Sequence, residues 1–133
     1  MHSKGNYHIY DDKHMVQLDK VEALLRDSYW AKDRNIETIE ISINNSVCFS
    51  LYHHDEQIGF ARIVTDHASV AYIADVMIEA HHRGKGLGKW LVEVVVNDSR
   101  WKNLLQLLVT DDAHALYEHF GFSSSHKLMS KVQ

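Results

Sequence analysis

Seven consecutive residues, Arg83, Gly84, Lys85, Gly86, Leu87, Gly88 and Lys89, hold the densest chemistry in this sequence. Glycine has no Cβ to obstruct a ligand or forbid unusual backbone angles, so such a loop can expose successive backbone N–H groups. The loop falls where a strand-like stretch, Val70–Ile78, meets a helix-like stretch, Leu87–Val96. The N-terminus of that helix would add unpaired N–H donors and a partial positive charge. Arg83, Lys85 and Lys89 add full positive charges. Together these groups ask for a phosphate.

The spacing narrows the choice of phosphate ligand. A Walker loop needs Gly-x-x-x-x-Gly-Lys followed by Ser or Thr. Placing its end on Gly88-Lys89 puts Arg83 at the leading glycine and Trp90 at the metal-binding hydroxyl. A Rossmann fingerprint needs Gly-x-Gly-x-x-Gly. Started at Gly84 it ends on Lys89, and started at Gly86 it ends on Leu91. Both readings fail, and Arg-x-x-Gly-x-Gly on a strand-to-helix turn remains.

Composition bounds the rest. At 133 residues the chain is expected to form a single domain over 1–133 with one sizeable core. Hydrophobic residues are 45% and charged ones 24%, as in an ordinary water-soluble protein. The net charge of −4 argues against a nucleic-acid partner, and the basic residues at 83, 85 and 89 suit a small anion better than a polyanion. The lone Cys48 allows no internal disulfide and fits a reducing compartment, so a cytoplasmic location is expected. It stands in an apolar run, as an inert thiol would. No segment resembles a signal peptide and no apolar run approaches about 18 residues, so no membrane partner is expected. The eleven histidines raise a metal site. Adjacent pairs such as His53-His54 point to opposite faces of a strand. His114 and His119 would lie roughly 140° apart on a helix. No Cys-x-x-Cys or His-Glu-x-x-His accompanies them, so no metal is expected.

The elements that must position the loop follow from periodicity. Residues 6–10 read as a short strand, and Met15, Leu18, Val21, Leu24 and Leu25 recur at helical spacing. A second helix is expected over 34–43 with Asp33 as its cap. Strands are expected over 46–52 and 58–65, parted by the polar turn Asp55-Glu56-Gln57. The almost wholly apolar Val70–Ile78 should be a central strand buried on both faces. Leu87, Trp90, Leu91, Val94 and Val95 form one apolar helix face. Residues 104–109 read as another buried strand. Asp111 or Asp112 should cap a last helix stopped at Gly121, and 122–132 should return as an edge strand. Val70–Ile78, the helix and 104–109 make a parallel crossover, expected to be right-handed.

The loop resembles the acyl-CoA-binding loop of the GNAT (GCN5-related N-acetyltransferase) family, Gln/Arg-x-x-Gly-x-Gly/Ala. A second segment supports this. Ala113, Leu116, Tyr117, Gly121 and Phe122 match, in register, the family's Ala-x-x-Leu-Tyr-x-x-x-Gly-Phe. Ile58-Gly59-Phe60-Ala61-Arg62 is similar to the family's third strand, so the resemblance covers roughly residues 46–122. It implies an α/β fold of α+β character, with a central mixed sheet, helices on its flanks, and two parallel strands that splay apart to admit the pantetheine arm. It implies transfer of acetyl from acetyl-CoA to a primary amine by direct attack in a ternary complex. A CoA-binding sensor or regulatory module of the same fold is the alternative. Similar proteins are commonly homodimers.

The resemblance also implies roles. Arg83, Gly84, Lys85, Gly86, Leu87, Gly88 and Lys89 would hold the pyrophosphate. The main chain of Val76, Met77 and Ile78 would pair with pantetheine and polarise the thioester carbonyl. Thr110 and Ala113 would lie beside the arm, although many members have Asn where Thr110 stands, and a Thr hydroxyl reaches less far. Tyr117 would donate a hydrogen bond to the departing sulfur, or else serve as a core aromatic. An alkyl ammonium of pKa ~10.4 must also lose a proton. Asp75, the lone acid in an apolar strand, is either the base, its pKa raised by burial, or a structural anchor. Glu79, His82 and a chain of waters are the other routes. Tyr29 and Trp30, between the two N-terminal helices, either wall the amine site, with a cation–π contact, or pack the helix pair.

Overall fold

The computed structural model describes residues 1–131. A six-stranded mixed sheet runs β1 (His2–Lys4), β2 (Tyr7–Tyr10), β3 (Val47–His53), β4 (Glu56–Thr65), β5 (Val70–Ile78) and β6 (Leu105–Leu107), each beside the next. The pairings are antiparallel except β5 with β6, which is parallel and reached through helix α3 (Leu87–Val96). Helices α1 (Leu18–Arg26) and α2 (Ile36–Asn44) precede β3, and α4 (His114–Glu118) follows β6.

Strands β3 and β4 are buried on both faces, whereas β5, expected to be so, buries one face more fully and leaves Tyr72 exposed. On one face α3 sets Leu87, Leu91 and Val95 against Phe49, Leu51, Ile63 and Ile73, with Trp101 closing the end. On the other face α1 and α2 bring Val21, Leu25, Ile39 and Ile43 onto Cys48, Phe60 and Met77. Cys48 is buried and its thiol is pushed up to about 11 by desolvation, so it is inert.

Strand β5 departs from regular alternation in the middle. Phe60 pairs with Met77 and Arg62 with Ala74, so Asp75 and Val76 together oppose the single residue Ala61. This bulge reverses the parity of the strand. Ala71 and Ile73 face the α3 core, whereas beyond the bulge Val76 and Ile78 do, and Met77 turns to the α1–α2 side. Asp75 takes a left-handed backbone with φ of 53°, uncommon for a residue with a side chain.

Several boundaries differ from the sequence expectation. An additional strand, His2–Lys4, pairs with β2 through a turn at Gly5. Helix α2 begins at Ile36 rather than 34, because Asn35 and not Asp33 caps it, its Oδ1 accepting from Thr38 N–H at 2.9 Å. The stretch 104–109 yields a strand of only three residues, with Leu105 and Leu107 exposed rather than buried, since β6 is a sheet edge. Neither Asp111 nor Asp112 is the helix cap. Ala113 occupies that position, and Thr110 Oγ1 accepts from its N–H at 3.0 Å. Residues 122–131 form no strand, and Val132 lies outside the described residues. No helix among the described residues is long and apolar enough to cross a membrane.

Candidate active site

The Arg83–Lys89 segment forms a turn between β5 and α3. Gly84 and Gly86 have φ of 77° and 76°, and Gly86 is the N-cap of α3. A Cβ on either would meet nothing within 4 Å, so glycine is required by backbone angle rather than by room. Leu87 anchors the turn by burying its side chain in the α3 core, and Gly88 faces Ile78. Arg83 Nε donates to the Ile78 carbonyl at 3.0 Å, which fixes the arginine across the strand end. No carboxylate among the described residues pairs with Arg83, Lys85 or Lys89, so the helix terminus carries uncompensated positive charge.

Strands β5 and β6 separate at once. Their register covers Val70–Leu105, Ala71–Gln106 and Tyr72–Leu107, after which β5 continues for six residues without a partner on that side. The gap is a cleft of about 280 Å³ between residues 73–76 on one wall and 108–113 on the other, with Tyr117 between them. The extra residue of a bulge leaves the ladder, and here that residue belongs to the Asp75–Val76 pair on the cleft wall.

Tyr117 is buried at 9% exposure and packs against Phe122 at 5.9 Å. Burial pushes its phenol up to about 12, and the neighbouring Tyr29 and Asp112 add to this. It therefore remains a protonated donor through the physiological range. Thr110 and Ala113 line the same cleft, the Thr110 oxygen being engaged at the entrance of α4. Of Val76, Met77 and Ile78, only Val76 lines the cleft; Met77 is buried in the α1–α2 core, and Val76 and Ile78 are partly buried against the α3 core.

Asp75 departs most from expectation. Its Oδ2 accepts from Arg62 Nε at 2.8 Å and from Arg34 Nη1 at 2.9 Å, and its Oδ1 from Trp30 Nε1 at 3.0 Å. Burial alone would raise this carboxyl. The bond to Arg62 and its charge, the indole N–H and the Arg34 charge outweigh that and hold it below the usual carboxylate range. A carboxylate tied to two guanidiniums is a poor base, so the raised pKa expected from burial does not arise, and Asp75 is an anchor. Charge pairing across neighbouring strands was the signal available for this: Arg62 is the lone cation of its strand, as Asp75 is the lone acid of the next.

Tyr29 and Trp30 are not core packing. They are 54% and 44% exposed, stand edge to face at 5.0 Å, and reach opposite walls of the cleft. Trp30 donates to Asp75 on β5, and Tyr29 Oη accepts from Asp111 N–H at 3.4 Å. Glu79 pairs instead with His81, and His82 with the Tyr7 hydroxyl at 3.0 Å, neither of them lining the cleft. No cluster of three or more His, Cys, Asp or Glu suited to a metal occurs among the described residues.

Comparison with known proteins gives a concordant result. An acetyltransferase (GNAT) domain model matches residues 44–124. A solved protein of Xanthomonas campestris, assigned to the GNAT family as a candidate acetyltransferase, is 30% identical with a TM-score of 0.92 over 98% of this chain and 96% of that one. The uncharacterized N-acetyltransferase ycf52 of Gracilaria tenuistipitata is 32% identical over 114 residues, spanning 80% of this chain and 62% of the relative. A Clostridium acetobutylicum protein named as a predicted acetyltransferase and solved with acetyl-CoA shares the fold at 16% identity, with a TM-score of 0.68 over 96% of this chain and 95% of that one.

Proposed function

The chain belongs to the GNAT acetyltransferase family, and we propose that it moves acetyl from acetyl-CoA to a primary amine by direct attack in a ternary complex. One observation carries this reading: an uncompensated cationic helix terminus and a cleft between splayed parallel strands lie at the two ends of the same strand half, with a buried phenol in the cleft. The residues present fit the donor. Arg83, Lys85, Lys89 and the N–H groups of 84–89 would hold its pyrophosphate. Backbone at Val76–Ile78 would pair with the arm, and Thr110 and Ala113 would flank it. When bound, acetyl-CoA supplies an activated thioester and a thiolate leaving group.

Val76 lies at the bulge and lines the cleft; its N–H would meet the negative charge that develops on the acyl oxygen. Tyr117 donates a hydrogen bond to the departing sulfur. A phenol near ~10 is a weaker acid than a thiol near ~8.5, and burial pushes Tyr117 further up, so outright proton transfer is uphill. Tyr117 therefore stabilises the thiolate without giving up its proton. Asp75, held below the usual carboxylate range by its arginines, is too weak to serve as the base; both protons that the attacking ammonium must lose pass to water at the mouth of the cleft. Tyr29 and Trp30 wall the acceptor side.

The test is acetyl-CoA turnover with and without a panel of primary amines, read as free thiol release. Amine-dependent release is expected. A folded protein that binds CoA and shows none would instead be a binding module.

A further inference from the structure

The anchoring of Asp75 leaves an unbalanced charge. Arg62 alone suffices to neutralise this carboxylate: it is the nearer partner, its side chain is only 14% exposed, and its Nη1 also donates to Ser46 Oγ at 3.2 Å. Arg34 donates one Nη1 bond to the same Asp75 oxygen. Its Nε and Nη2 have no acceptor among the described residues, although its side chain is only 23% exposed and lines the cleft. Two guanidiniums against one carboxylate leave this wall with a net positive charge. A half-desolvated guanidinium with spare donors is costly unless an anion or water meets it. The carboxylates on the facing side of the cleft, Asp111 and Asp112, are exposed at the lip near Tyr29 and Tyr117. The cleft is thus polarised, positive on the β5 wall and negative at the opposite lip.

We infer that the acceptor is a small amine bearing an oxyanion, a carboxylate or a phosphate, which the free fork of Arg34 receives while Asp111 and Asp112 draw the ammonium. A guanidinium presents paired donors matched to either group. The inference rests on the acetyltransferase reading for the word acceptor, but the recognition it describes is a binding property. Trp30 holds the fork's surroundings rigid through its bond to Asp75.

The test compares matched pairs of amines in the CoA-saturated protein: β-alanine with its amide, and 2-aminoethyl phosphate with ethanolamine. Binding is read by calorimetry, and KM by thiol release. At least tenfold tighter binding is expected for one or both anionic members. The preference should shrink to below threefold in Arg34→Gln and recover in part in Arg34→Lys, which keeps the charge without the fork. Equal binding within both pairs in the unaltered protein overturns the inference whether or not Arg34→Gln folds. So does a preference that survives intact in a folded Arg34→Gln. Preference by the phosphate pair alone, or the carboxylate pair alone, identifies which oxyanion is used. Anion-selective binding without thiol release would sustain the site and refute the transferase reading, while release with equal preference would do the reverse.

Discussion

Three cations in the Arg83–Lys89 turn face solvent with no carboxylate among the described residues to meet them, whereas on the β5 wall of the cleft two cations close on one carboxylate. The turn is built from neighbours in sequence, and its charge is left for a ligand to neutralise. The Asp75 wall is drawn from three segments, at 30–34, 62 and 75, and most of its charge is spent internally. The first arrangement is an uncompensated cationic helix start, a setting that suits an anion of general kind. The second makes a rigid wall whose small remaining charge discriminates. A transferase that uses one donor and chooses among many amines needs both.

The sharpest way to break this comparison is Asp75→Asn. It leaves two guanidiniums facing each other, so about 3 kcal/mol of stability should be lost by denaturant unfolding. Because the folded-state pKa of Asp75 lies below its unfolded ~3.9, its contribution is present above that pH and lost as pH falls further. The variant should therefore show a shallower acid dependence below about pH 4. An unchanged acid limb would mean that the network is not a stabilising anchor. In the turn, Gly86→Glu forces a side chain into φ of 76° and adds a negative charge at the proposed pyrophosphate site. Together these should weaken CoA binding by roughly fiftyfold, from about 1–2 kcal/mol of left-handed strain plus repulsion. Gly86→Ala, with strain alone, should cost less; equal losses would show that charge is irrelevant there.

Between the two regions, Tyr117→Phe should lower turnover about tenfold, the worth of one hydrogen bond, with CoA affinity unchanged. A loss of affinity equal to the loss of turnover would make Tyr117 a packing residue. Last, the rate at fixed acceptor should rise with pH in parallel with the free-amine fraction, without a plateau near neutrality, if the proton passes to water rather than to a base in the cleft. A plateau with an apparent pKa near 6–7 would identify a base in the site.

How much of this was legible beforehand varied with the distance between partners. The loop, the crossover helix and the Ala113-to-Phe122 register are local patterns, and the structure reproduces the helix at Leu87–Val96 and the strand at Val70–Ile78 with the same limits. The second helix start was misplaced because Asp33 and Asn35 are both good caps, and only the turn closed by Arg34 N–H on Ala31 C=O selects Asn35. The return strand expected over 122–132 does not form in the described residues up to 131, where Ser123, Ser124 and Ser125 carry no apolar face to pair on the sheet.

The chain's own residues determined the cationic turn. Glycines at positive φ, a helix start and three unpaired cations act over a few residues, so their order in sequence is their order in space. Only the tertiary structure decided the Asp75 wall. Asp75 reads equally well as a base or an anchor until folding brings Arg34, Arg62 and Trp30 onto it, and a carboxylate's basicity is set by what surrounds it rather than by its place in the chain.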